Sequence, residues 1–227
     1  TRNFSNDVDY LYHQNPDLYY FTGYKEPDAV LFIFKEPQTD ANGKTYKELF
    51  FVQRKDPRQE SWNGKRLGVE GVKDQLCIDM AYNGSEFKDF PIDLSKFKTI
   101  IADGQSSFIN SAVAENSKLS GLMATFNKKT KDISKNGQLY FSLTARLREI
   151  KTPEEIVMLR KAVEISCQGQ NEVMKAAHAD MSELEIQGLH EFVHKKYGAE
   201  NVGYGSIVGA GENGCILHYV TNTKTKV

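Results

Sequence analysis

The sequence predicts an α/β domain, a mixed sheet covered by helices, over residues 1–150, and the start of an α+β domain over residues 151–227. Three observations carry this. Strand-sized apolar runs alternate with helix-periodic segments through the first two-thirds of the chain, the pattern of a sheet clothed in helices. A capping signal with proline at the first helical position opens a new run of longer helices at "KTPEE" (151–155). After Gly198 the pattern changes again, to glycine-punctuated, β-rich sequence.

The elements follow in order. "VDYLY" (8–12) alternates and predicts a strand. "NPDLYYFTGY" (15–24) predicts a short helix, with Asn15 as cap, Pro16 at the first position and Gly23 past the last turn. "DAVLFIF" (28–34) and "ELFFVQR" (48–54) predict two strands. Asn42-Gly43 between them supplies the positive φ of a hairpin turn. "GVKDQLCIDMAYNG" (71–84) and "SSFINSAVAENSKLSGLMATF" (106–126) carry helical periodicity, and "KTIIADG" (98–104) predicts a buried strand between them. Beyond Lys151, Thr152 caps a helix that Glu155 closes as a capping box. Ile156, Leu159, Val163, Ser166, Gln170, Val173, Met174 and Ala177 then trace one stripe to about Ala179. Ser182 and Glu185 repeat the box for a second helix, which runs to Tyr197 and stops at Gly198. "YGSIVGAGENGCILHYV" (204–220) then predicts a hairpin-like pair of strands.

Charge and cysteine usage bound the function. With 29 basic against 30 acidic residues, the chain lacks the basic footprint of a nucleic-acid binder, so no nucleic-acid partner is expected. Its longest apolar runs, such as "AVLFIF" (29–34), are strand-sized and short of a membrane span, so no membrane partner is expected either. There is no signal-peptide pattern at the start and no initiator Met, so Thr1 need not be the natural first residue. Cys77, Cys167 and Cys215 are odd in number, widely spaced and form no C-x-x-C. They predict free, mostly buried thiols in a reducing compartment, hence the cytoplasm, with the periplasm as the alternative.

Two motifs invite functions that their contexts do not support. His190, Glu191 and His194 have the H-E-x-x-H spacing, in which two imidazoles on one helix face share a zinc ion and the Glu activates its water. The metzincin extension would need Gly at 197 and His at 200, where Tyr197 and Glu200 stand. Leu189, Val193 and Tyr197 form the apolar stripe, so the two histidines are expected to flank it at the surface. Gly209, Gly211 and Gly214 spell G-x-G-x-x-G, but "CILHYV" after them reads as a strand rather than the helix whose N-terminus would meet a pyrophosphate. Close approach of two backbone segments, or a bulged turn, is the expectation for these glycines.

Four further stretches carry a resemblance. "LREIKTPEEIVMLRKA" (147–162) is followed some fifty residues later by "SIVGAGENGCILHY" (206–219), and both are preceded by "NPDLYYFTGYKEPDAVLFIF" (15–34) and "WNGKRLGVEG" (62–71). Together, over nearly the whole chain, they closely resemble the Xaa-Pro aminopeptidases (aminopeptidase P), in the family that includes prolidase, creatinase and methionine aminopeptidase. The resemblance implies an N-terminal α/β domain joined to a "pita-bread" α+β catalytic domain. It implies hydrolysis of the bond between an N-terminal residue and a following proline, with two divalent metal ions, typically Mn2+, and a bridging hydroxide. Peptides with proline in the second position are the implied partners, and a homo-oligomer, dimer or tetramer, the implied assembly.

Residue by residue, His218 in "ILHY" matches the family's histidine that faces the metal centre and contacts substrate during proton handling. The resemblance assigns the family's five metal ligands, two Asp, a His and two Glu, to sequence beyond Val227. No metal ligand and no other cofactor-binding residue is therefore expected within residues 1–227, which by themselves are expected to be inactive and prone to aggregate. Within the family, N-terminal-domain residues help build oligomer contacts and close one side of a neighbouring active site, which is one reading of Trp62; the other is that it packs a loop onto its own domain. A prolidase of the same family and a catalytically dead binding module are the alternatives.

Overall fold

The computed structural model describes residues 3–5, 8–9, 11–102 and 118–223, which divide into two units, Thr1–Leu147 and Arg148–Val227. In the first unit β1 (Asn3–Ser5) pairs antiparallel with β2 (Val8–Asp9). The predicted strand over 8–12 thus ends at Asp9, and Tyr10 lies outside the described residues. Helix α1 (Pro16–Thr22) forms as its caps dictate. The Asn15 side chain accepts from the Asp17 and Leu18 amides, and Gly23 takes the left-handed conformation at φ 70°.

The sheet is built on β4 (Thr45–Val52), which pairs antiparallel with β3 (Val30–Thr39) and parallel with β5 (Met80–Asn83). It is therefore mixed, as predicted. The β3–β4 turn closes through Gly43 at φ 81°, while the Asp40 carboxylate accepts from the Asn42 and Lys44 amides. Side chains alternate across the central strand. Leu49 and Phe51 face one way, against Phe34, Met80, Phe87 and Leu122. Phe50 and Val52 face the other way, against Tyr24, Val72 and Ala81. All four of these β4 residues are fully buried, so both faces of the sheet are covered.

Helices α2 (Pro57–Asn63) and α3 (Gly68–Leu76) follow β4, and Val72 of α3 enters the second of these cores. The helix predicted over 71–84 is corrected here: Cys77 turns left-handed at φ 55° and ends α3, and Met80–Asn83 is strand β5. Pairing with the buried β4 outweighs the helical periodicity of that segment. Strand β6 (Thr99–Ile100) pairs parallel with β7 (Ser134–Lys135), and it is not the buried strand expected, since Thr99 is exposed and Ile100 only half-buried. Helix α4 (Lys118–Lys129) occupies the described part of the helix predicted over 106–126; residues 106–117, like 103–104 of the predicted strand, lie outside the described residues. Helix α5 (Gly137–Glu149) follows, and its Tyr140 hydroxyl donates to Asp17 of α1 at 2.8 Å.

The second unit begins with α6 (Pro153–Ala176), opened by the predicted Thr152–Glu155 capping box, and continues with α7 (Glu183–Lys196), opened by the Ser182–Glu185 box. Gly198 at φ 93° follows the end of α7. The stripe predicted on α6 is largely left open to solvent. Ile156, Leu159, Val163 and Met174 are exposed, and the residues it buries are Ile165 and Gly169. A small residue on that side admits the α7 side chains closely, and this fixes which face packs. The hairpin-like strands predicted over 204–220 do not form among the described residues. Gly211–Cys215 makes a 3₁₀ turn, and flanking backbone amides are taken by side chains instead of by a ladder.

Candidate functional site

The carboxylate that organises the second unit stands at the first position of α7. Ser182, as N-cap, starts the helix there, and the positive end of the helix favours an acid in its first turn. The Glu183 side chain is fully buried. Its Oε1 accepts from the Ala210 amide at 2.7 Å and Asn213 Nδ2 at 3.0 Å. Its Oε2 accepts from the Tyr219 hydroxyl and the Thr223 amide, both at 2.8 Å, and from the Thr223 hydroxyl at 3.2 Å. Burial opposes ionisation, but the donors from Asn213, Ala210, Tyr219 and Thr223 outweigh it and hold the carboxyl down to about 2.

A second buried side chain closes the same segment. Asn222, at φ 44°, donates to Gln187 Oε1 at 2.9 Å and to the Ser206 carbonyl at 2.6 Å, and accepts from the Val208 amide at 3.0 Å. The glycine pattern lies between these anchors and does what its context predicts. A Cβ on Gly209 would sit 2.8 Å from the Asn213 carbonyl oxygen and 2.9 Å from Gly214 Cα, so two backbone stretches meet there. The turn leads into no helix, and the dinucleotide site is not built.

His218 is exposed and immediately precedes the buried Tyr219, whose hydroxyl is tied to Glu183. The clamp thus fixes the backbone beside His218, whose side chain is open to solvent. His13 and His178 are also exposed. Trp62 is 70% exposed, so it does not pack a loop onto its own unit, whereas nearby Arg66 donates to Gln59 Oε1 at 2.6 Å. The three cysteines are free, as expected, but exposed rather than buried. Among the described residues no helix is long and apolar enough to cross a membrane.

The H-E-x-x-H residues are arranged differently from the expected surface flank. His190 and His194 are half-buried, with ring centroids 4.2 Å apart, and they rest on Gly169 of α6. Burial, and then neighbouring His194, hold His190 below its ordinary value, against a smaller pull from Glu191. Glu191 is engaged elsewhere, accepting from Gln187 Nε2 at 2.9 Å and the Ser206 hydroxyl at 2.7 Å. Among the described residues no group of three or more His, Cys, Asp or Glu side chains comes together to hold a metal. The described residues thus build neither a three-ligand zincin centre nor a two-metal cluster.

Sequence reasoning missed Glu183, Asn222 and the Gly169 seat. The one local sign was the set of polar residues Asn213, Tyr219 and Thr223 within an otherwise apolar, glycine-rich run.

Similarity to known proteins covers both units. The family described as "Aminopeptidase P, N-terminal domain" matches residues 1–100, and "Metallopeptidase family M24" matches residues 157–227. The Xaa-Pro aminopeptidase of Escherichia coli (strain K12) is 32% identical over 222 residues, which are 96% of this chain and 48% of that protein. The structure of aminopeptidase P from E. coli with the inhibitor Pro-Leu superposes with a TM-score of 0.77 at 27% identity, covering 99% of this chain and 49% of that one. The Zn-substituted E. coli aminopeptidase P in complex with product gives 0.75 at 26% identity, covering 99% and 50%. The chain spans about half the length of the curated relatives it matches. The chain thus joins an aminopeptidase P N-terminal domain, matched over residues 1–100, to the start of a metallopeptidase family M24 domain, matched over residues 157–227.

Proposed function

We propose that this chain is the N-terminal domain, residues 1–150, and the opening of the catalytic domain, residues 151–227, of a Xaa-Pro aminopeptidase. Such an enzyme removes an N-terminal residue from peptides with proline in the second position. The observation that carries the reading is that similarity to a Xaa-Pro aminopeptidase extends over 96% of the chain and reaches both units. The structure with Pro-Leu adds a proline-containing ligand among the relatives, and the Zn-substituted one a divalent metal. Two divalent metal ions, of the kind for which the family typically uses Mn2+, would supply polarisation of the scissile carbonyl and an activated hydroxide. Residues 1–227 alone are proposed not to hydrolyse peptides.

His218 is the residue of this chain assigned to the chemistry, as a substrate-contacting imidazole that handles a proton at the developing tetrahedral oxygen. Its exposure beside the clamped Tyr219 supports that assignment. A homo-oligomer, dimer or tetramer, is proposed for the intact protein, and exposed Trp62 is available for a contact between copies. Free, exposed thiols favour a reducing compartment, the cytoplasm. The test is hydrolysis by the intact gene product loaded with Mn2+. Release of arginine from Arg-Pro-Pro with little action on Ala-Pro supports the aminopeptidase. Cleavage of Ala-Pro alone makes it a prolidase, and cleavage of neither leaves a non-catalytic binding module.

A further inference from the structure

We propose that His190 and His194 form a two-imidazole binding site for a divalent transition-metal ion of the imidazole-seeking kind (Zn2+, Ni2+ or Cu2+), with Gln170 as a third donor. The inference rests on this cluster alone and is independent of the peptidase reading.

Residues four apart on a helix stand one above the other, so both rings leave α7 on the same side. Their centroids are 4.2 Å apart. Both turn the same edge toward α6, since a Cβ built on Gly169 would lie 3.0 Å from His190 Cδ2 and 3.1 Å from His194 Cδ2 and Nε2. The absence of a side chain at Gly169 is therefore what lets the two rings converge; a larger residue would push them apart. Nε2 of His194 is buried and has no hydrogen-bond partner among the described residues. A buried ring nitrogen left unpartnered costs free energy, and a metal ion is one partner that removes the cost.

Gln170 follows Gly169 on α6, and its side-chain amide nitrogen lies 3.4 Å from Nε2 of His190. A half-turn of that amide puts its oxygen in the same place, turning a hydrogen-bond donor into a metal ligand. Ligation would then tie α6 to α7. A cavity of about 590 Å³, bounded by the two histidines, Gln170 and the 202–209 segment, leaves room for water to complete a tetrahedral set. The carboxylate nearest in sequence, Glu191, is held by Gln187 and Ser206. The donors are thus nitrogen-rich, which favours Zn2+, Ni2+ and Cu2+ over Mg2+, Ca2+ and Mn2+.

The experiment is uptake of Zn2+ alone by the intact protein after chelator treatment, followed by calorimetry and repeated on H190A and H194A. The wild type is expected to bind one more equivalent than either variant, or to bind that equivalent at least about 10-fold more tightly. Equal stoichiometry and affinity in all three proteins overturns the proposal. Cu2+ provides a second reading that does not depend on the variants' stability. Its electron paramagnetic resonance spectrum in the wild type should show coupling to two imidazole nitrogens, and a spectrum without them counts against the site. Gly169→Ala keeps both histidines but lifts the rings from their seat, so unchanged Zn2+ affinity in that variant contradicts the geometry.

Discussion

The Tyr219 hydroxyl donates at 2.8 Å to the carboxylate of Glu183, joining the first residue of α7 to a side chain 36 positions downstream. The same carboxylate receives Ala210, Asn213 and Thr223, so one buried acid organises the whole return segment on which His218 rides.

Because Glu183 is held at about 2, below its ordinary 4.5, its contribution to stability has a defined pH window. A depressed carboxylate stabilises the fold fully above its ordinary value, and that contribution is lost as pH falls from 4.5 toward about 2. Glu183→Gln should lower the melting temperature by on the order of 5 °C at neutral pH, since an amide cannot accept all the donors aimed at it. Urea midpoints of wild type and variant, compared between pH 7 and pH 2, should differ most at the high end and converge at the low end. A gap that does not change with pH contradicts the clamp.

Gly209 predicts a sharp contrast between two glycines of one loop. Gly209→Ala forces a methyl group to 2.8 Å from the Asn213 carbonyl oxygen, a backbone atom that cannot swing away. It should cost about 1–3 kcal/mol. A Cβ on Gly205 meets nothing within 4 Å, so Gly205→Ala should stay within about 0.5 kcal/mol of wild type. Chemical denaturation of the pair measures both, and equal costs contradict the close approach.

The helix caps make a smaller, local prediction. Thr152 accepts from the Glu155 amide, and the Glu155 carboxylate accepts from the Thr152 amide at 2.7 Å. Thr152→Ala removes half of this exchange and should destabilise by about 1 kcal/mol, and adding Glu155→Ala should cost less than a second full increment because the two act together. A double-mutant cycle by urea denaturation reads the coupling; strict additivity contradicts it.

These caps also mark what could be read in the sequence. Asn15, Thr152 and Ser182 act on amides two or three residues away, and Gly23 and Gly43 set turns by their own φ, so a short window of sequence contains the whole cause. The fold class follows from such windows together with the apolar runs that become β3 and β4. Glu183 could not be found that way, since its partners lie 27 to 40 residues downstream and nothing local separates it from an ordinary first-turn acid. The His190 and His194 seat depends on Gly169 on another helix, so helical periodicity placed both rings at the surface. Met80–Asn83 kept a helical pattern in sequence because the strand it pairs with lies some thirty residues away, and Cys77 at φ 55° is a helix stop that few non-glycine residues make. The position of His218 was legible only through its motif, and the clamp beneath it only through the structure.

The measurement that bears most directly on the account is the rate at which the intact, Mn2+-loaded protein releases arginine from Arg-Pro-Pro, compared with His218→Ala. His218 is exposed, so the variant should melt with the wild type. It should nevertheless lose about 10²-fold or more in kcat, the scale of one positioned proton-handling group. A wild type that leaves the Xaa-Pro bond intact, or a variant that cleaves it equally fast, would contradict the account.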